Sequence, residues 1–245
     1  MDSIYLANKY GTAISHEAWG SISHSIDSVC AHWRKKDSGI WEMRGAEQHF
    51  LHSRLMWWVA IDRAMRLAIK RSLPAPLTKW HDARDLIADD IWANFRHPKD
   101  GYFVQTKGDQ LDAALLMMPL VRFVSATDPV WLKTLDAIGE LLCDDGMIYR
   151  YRNDDGLEGG EGAFTTCTFW YVECLARAGR LNEARLAMGQ GMSRANHLGL
   201  FSEELDKRGR HLGNFPQALT HLVFISAAHF LNRRLDRPSG GEWQP

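Results

Sequence analysis

The sequence predicts an all-α fold of antiparallel helices, and three observations predict it. Apolar residues recur at helical spacing along most of the chain. Extended signals are confined to two short stretches, and the segments between periodic runs alternate between tight turns and long loops. In an up-and-down array alternate connections lie at the same end, so the long loops are expected on one face. A closed α/α barrel and an open helical solenoid both satisfy this; no fixed-period repeat is visible, which favours the barrel.

The elements follow in order. A short helix opens the chain and stops at Gly11, a C-cap candidate. In "SHEAWGSISHSIDSVCAHWRK" the residues Trp19, Ile22, Ile26, Val29 and Trp33 form one stripe of an amphipathic helix. From His49 to Lys70 the same test aligns Leu51, Leu55, Trp58, Met65 and Ile69, with Asp62 and Arg66 paired at i,i+4 on the polar side. Further helices are expected near 77–97, 109–120, 129–142, 163–178, 182–196 and 215–232, the last capped by Asn214 with Pro216 in its first turn. Only "GYFVQ" and "GMIYRYR" read as extended. The connections at 36–48, 98–108, 143–162 and 197–214 are long and contain Trp, Tyr, Arg, Glu and Gly. Long loops of that composition favour function over filler. No composition shift marks a linker, so one domain is expected over 1–235, with a disordered tail at 236–245.

Composition excludes several classes. The 245 residues carry a formal net charge of −1, which argues against a nucleic-acid or anionic-membrane partner. No stretch approaches the length of a membrane span and no signal-peptide pattern opens the chain, so a soluble, cytoplasmic protein is expected. Cys30, Cys143, Cys167 and Cys174 show no metal spacing and read as reduced thiols. His49 and His52 lack an acidic third ligand, and the "DDG" runs lack EF-hand spacing, so no metal or other cofactor is expected and turn chemistry explains the aspartates. Ten tryptophans admit aromatic sugar platforms, although Trp57, Trp58 and Trp170 are expected in the core.

Two carboxylates stand out by position. Glu42 follows Trp41 in the first long loop, and Glu203 and Glu204 lie in the last. If the long loops share a face, these groups converge. Glycoside hydrolysis needs such a pair, one carboxyl to protonate the leaving oxygen and one carboxylate to activate water or attack carbon. Trp41 would help the acid keep its proton by desolvation. Solvated loop glutamates look the same in sequence, so pattern alone does not decide.

Four ordered stretches carry a resemblance: "SGIWEMRG…HFLHSRLMWWVAIDRA", "GYFVQTKGDQLDAALLMMPLVRF", "DDGMIYRYRNDDGLEGGEGAF" and "LGLFSEELDKRGRHLGNFPQALTH". Together they resemble the catalytic domain of glycoside hydrolase family 15, the glucoamylases and related bacterial trehalases, over residues 2–232. The resemblance implies an (α/α)6 barrel and inverting, exo-acting hydrolysis of α-glucosidic bonds that releases glucose. It implies Glu42 as general acid, Glu203 as general base and Trp41 as a subsite wall. Arg152 matches a sugar-binding arginine, with Arg150 close enough to compete for the role, and Glu161 is a weaker sugar contact. Inversion would set the two carboxylates about 6.5–9.5 Å apart.

About nine of twelve barrel helices are expected here, so the resemblance also implies an N-terminally truncated barrel. Such a chain would need a missing N-terminal segment or associate with itself through an exposed apolar strip. The competing expectation is a catalytically inactive fragment that acts at most as a carbohydrate-binding or interaction module.

Overall fold

The computed structural model describes residues 1–11, 13–152 and 162–236. Among them are α1 (Asp2–Tyr10), α2 (His16–His32), α3 (Leu51–Arg71), α4 (Leu77–Asn94), a 3-10 turn (Ala113–Leu116), α5 (Met117–Leu120), α6 (Pro129–Leu141), α7 (Thr165–Arg177), α8 (Leu181–Met192) and α9 (Ala218–Asp236). Five two-residue strands accompany them: β1 (Cys143–Asp144), β2 (Met147–Ile148), β3 (Ala163–Phe164), β4 (Glu204–Leu205) and β5 (His211–Leu212). The all-α class therefore holds. No helix among the described residues is long and apolar enough to cross a membrane. The chain gathers into two compact units, residues 1–96 with 104–109, and residues 97–103 with 110 onwards.

In the first unit α3 is the central helix, with α1, α2 and α4 packed on it. It is buried almost all round, through Leu51, Leu55, Val59, Ile61, Ala64, Leu67 and Ala68. The Asp62–Arg66 pair forms at 2.8 Å, but Asp62 is buried rather than on a solvated face. The reason is α1, which covers that side: Arg63 joins Asp62 at 2.6 Å and Asp2 at 2.7 Å, and Arg71 donates to the Asn8 carbonyl. Ile69, expected in the buried stripe, is exposed in the last turn. Trp19, Ile26 and Trp33 of the α2 stripe are buried, and Trp19 meets Trp80 of α4 edge-on at 6.1 Å. Side chains of this size each contribute on the order of 2 kcal/mol by burial.

In the second unit α7 is central, against α8, α9 and β2. Glu173, buried in α7, accepts from Arg177 (2.6 Å) and from Ser226 of α9 (2.8 Å), so the carboxylate enters the core with its partners. Three expectations are corrected here. Asp112 caps the Ala114 amide and delays the helix expected at 109–120 to a 3-10 turn and the single turn of α5. Asn214 does not cap α9, because the helix starts only at Ala218, four residues later; its amide and side-chain Nδ2 donate to Glu203 instead. Trp170, like Trp57 and Trp58 of α3, is half-buried rather than core. Of the extended stretches, "GMIYRYR" yields β2, paired with β1 across Asp145 and Gly146 at φ 47° and 75°. Both turn residues are left-handed, as a two-residue hairpin demands. Asp236, assigned to the tail by sequence, ends α9, and residues 237–245 lie outside the described ones.

The long connections meet in pairs. Gln105 accepts from the Leu51 amide at 2.8 Å, which joins the 98–108 connection to the end of the 36–48 loop at the first turn of α3. In the second unit β3 pairs with β4 and β4 with β5, which joins the 143–162 and 197–214 connections. The sheet was not foreseen, since two-residue strands leave no alternation to detect.

Candidate active site

Glu42 sits in the first unit at the tip of the loop between α2 and α3. The loop is closed at its base by Asp37 and Gln48, which exchange both backbone hydrogen bonds at 2.9 Å. Above this closure the Met43 amide reaches the Ser38 carbonyl at 2.9 Å, and Glu42 itself takes φ 53°. A left-handed glutamate costs on the order of 1–3 kcal/mol and persists only where its surroundings enforce it. Arg54, buried in α3, braces the base from below: it donates to the carbonyls of Trp33 and Lys35, to His49 Nδ1 and to Asp90. Trp41 is half-buried, while Glu42 and Arg44 are exposed. Desolvation of Glu42 by Trp41 is therefore not supplied by the protein alone.

Glu203 sits in the second unit, one residue before β4. Its Oε2 accepts from the Asn214 amide at 3.0 Å and from Asn214 Nδ2 at 2.8 Å, and its own amide donates to the Asn214 carbonyl at 3.0 Å. Gly213 makes this approach possible. It takes φ 68°, and a Cβ there would stand 2.7 Å from Glu203 Oε2. On the other side the Glu203 carbonyl accepts from the Thr165 amide at the start of α7, at 3.0 Å. One oxygen is thus held by neutral donors, and among the described residues Oε1 has no hydrogen-bond partner.

Its neighbour Glu204 is in a different situation. Arg150 approaches Glu204 Oε1 at 3.0 Å, and the guanidinium lies 5.1 Å from the Phe164 ring. Burial pushes the Glu204 carboxyl up, against Arg150 and the Gly162 amide, which draw it down, while the nearby Glu203 charge adds to the rise. Arg152 is elsewhere: it is exposed, over the Tyr149 ring at 4.9 Å, with a weak bond to the Cys143 carbonyl. Glu161 lies outside the described residues.

Trp41 and Glu42 thus belong to one unit, and Glu203, Arg150 and Arg152 to the other. The sequence reading missed Asn214 and Gly213 as partners of Glu203 because "LGN" before an apolar run also reads as a helix start. It left Arg150 and Arg152 unseparated because residues at i and i+2 point the same way in a straight strand; the strand stops at Ile148 and the chain turns away. Among the described residues no group of three or more His, Cys, Asp and Glu side chains is placed to hold a metal ion.

Comparison with known proteins identifies the fold family of these two carboxylate sites. The profile of Glycosyl hydrolases family 15 matches residues 1–189. The chain belongs to glycosyl hydrolase family 15. It is 40% identical to a trehalase of Mycobacterium tuberculosis (strain ATCC 25618 / H37Rv) over 253 residues, which is 100% of this chain and 37% of that protein. It is 39% identical to a trehalase of Thermoplasma acidophilum, over 92% of this chain and 39% of that one. The chain therefore spans little more than a third of these curated relatives. Among solved structures, a variant glycosidase in complex with glucose superposes with a TM-score of 0.78 at 20% identity, over 94% of this chain and 64% of that one. A glucoamylase from Saccharomycopsis fibuligera gives 0.68 at 12% identity, over 85% and 60%. At such identities these likenesses show the fold, the all-α barrel class of the glucoamylases.

Proposed function

We propose that this family 15 chain carries the acid and the base of an inverting hydrolase that cleaves an α-glucosidic bond and releases glucose, with trehalose as the first substrate to test. The observation that carries the reading is the fixing of Glu203 by Asn214. A base that must take a proton from water needs an ionised carboxylate with one oxygen oriented and the other available, which is what Oε2 and Oε1 provide. Glu204, engaged with Arg150, is less suited to the role. Trehalose is placed first because the curated relatives at 39–40% identity are named trehalases.

In this reading Glu42 gives its proton to the glycosidic oxygen as the bond from the anomeric carbon breaks. Glu203 Oε1 takes a proton from the water that bonds to that carbon on the opposite face. One water is consumed, and the configuration inverts. The exposed Glu42 needs the sugar itself, bound against Trp41, to exclude water from its carboxyl. Of the two arginines we assign Arg150 to the sugar hydroxyls, because Glu204 and Phe164 hold it beside the Glu203 segment; Arg152 keeps an outer position, and Glu161 a secondary sugar contact. The reading assigns the protein to the cytoplasm.

The test is glucose release from trehalose and from maltotriose by the purified chain, with Glu42→Gln and Glu203→Gln in parallel. The expected outcome is turnover of trehalose that falls by about a thousandfold or more in either variant, as loss of an acid or base commonly costs 10²–10⁴. Full activity in either variant removes that residue from the mechanism. No release by the unaltered chain favours the second reading, a silent carbohydrate-binding or interaction module, which the span of 37% of the relatives' length keeps open.

A further inference from the structure

Within the turn the Glu42 amide reaches the Gly39 carbonyl at 3.3 Å and the Met43 amide reaches the Ser38 carbonyl at 2.9 Å. Glu42 takes a left-handed backbone at φ 53°, which its surroundings must enforce. Asp37 links the turn to α3. A single carboxylate oxygen, Oδ1, accepts from the Gly39 amide at 2.7 Å and from the Ser53 hydroxyl at 2.8 Å. The first bond fixes the start of the turn; the second ties it to the first turn of α3, a helix buried almost all round. The same residue closes the loop base with Gln48 through its backbone. Gly39, at φ 70°, lies so close to the Phe50 ring that a Cβ would stand 3.1 Å from it, so the turn is also packed against the residue preceding α3.

We propose that Asp37 is the positioning residue of the Glu42 turn: its carboxylate, shared between Gly39 and Ser53, transfers the rigidity of α3 to the loop that presents the acid. The inference rests on the role assigned to Glu42 above, but its test does not require turnover. Hydrogen exchange is followed on the whole chain as it stands, in the peptide spanning 36–48, with peptides from α2 and α3 as internal references. Asp37→Ala removes the acceptor, and exchange of the loop amides is expected to rise about tenfold or more while α2 and α3 stay as they were, the local effect of losing two charge-assisted bonds. Asp37→Asn keeps a carbonyl acceptor and is expected to restore most of the protection. In turnover, Asp37→Ala lowers kcat with KM held, since the acid is displaced but the sugar contacts remain.

Unchanged loop exchange in Asp37→Ala overturns the proposal. So does a rise shared equally by α2 and α3, which would make Asp37 a residue of general stability, and so does an Asn variant as loose as the Ala one. Glu42→Gln, assayed beside them, separates the two ideas. If it keeps full activity the acid role falls, while the exchange result still decides what Asp37 does to the loop.

Discussion

His52 stands in the first turn of α3 with its amide on the Gln105 side chain, and its imidazole is pushed down to about 4, first by burial and against the pull of the Asp37 charge. The folded pKa lies below the unfolded value, so the folded state binds fewer protons between the two. Stability is full above about pH 6.5 and is lost as the pH falls through 6.5 towards 4, by about 2–3 kcal/mol over the whole window. Urea midpoints measured between pH 7 and 4 are expected to show this slope in the unaltered protein and little of it in His52→Gln. An equal slope in the variant would place the effect elsewhere. None of this was legible in the sequence, where His52 was weighed only as a metal ligand. The sequence singled out Glu42 and Trp41 as an acid beside an aromatic residue in a long loop, a pattern that solvated loop glutamates share. That the acid is exposed and left-handed could not be read, since both follow from how the loop is held.

The element that positions Glu203, the proposed base, is the hairpin of β4 and β5 with the short stretch after it. Asp206 organises its turn, accepting from the amides of Arg208 and Arg210 at 2.8 Å and from Arg210 Nε at 2.6 Å. The strand then returns to place Gly213 and Asn214 against Glu203. Asn214→Ala removes the side-chain donor and leaves the backbone bonds, so kcat is expected to fall by about ten- to a hundredfold with the melting temperature changed by only a few degrees. Steady-state kinetics with a thermal melt checks this; unchanged kcat would show that the Glu203 backbone suffices. At this scale the long helices were legible, because each carries an apolar stripe over many turns. The helix expected at 109–120 and the three-stranded sheet were not. A single aspartate cap moved the first, and two-residue strands are set by loop packing rather than by alternation.

For the whole molecule, each of the two compact units holds one of the two carboxylates. From the alternation of connection lengths the sequence led to an expectation of the four long loops on one face, not of contacts in pairs, and no composition shift marks the division into units. Nor could the sequence tell which apolar residues of α9 are covered. Thr220, Ala227 and Leu231 are buried, while Leu219, Leu222 and Ile225 are exposed at 49%, 65% and 60%, and both sets fit helical spacing.

The central claim is that Glu42 and Glu203 act as acid and base on one α-glucosidic bond with water between base and carbon. Proton NMR of the anomers formed at early times from trehalose tests it most directly. Inversion releases one β-glucose for every α-glucose, and equal early signals of the two are expected, absent when Glu203→Gln replaces the unaltered chain. α-Glucose alone would mean retention, and an undiminished signal from the variant would mean a different base; either result would contradict the account.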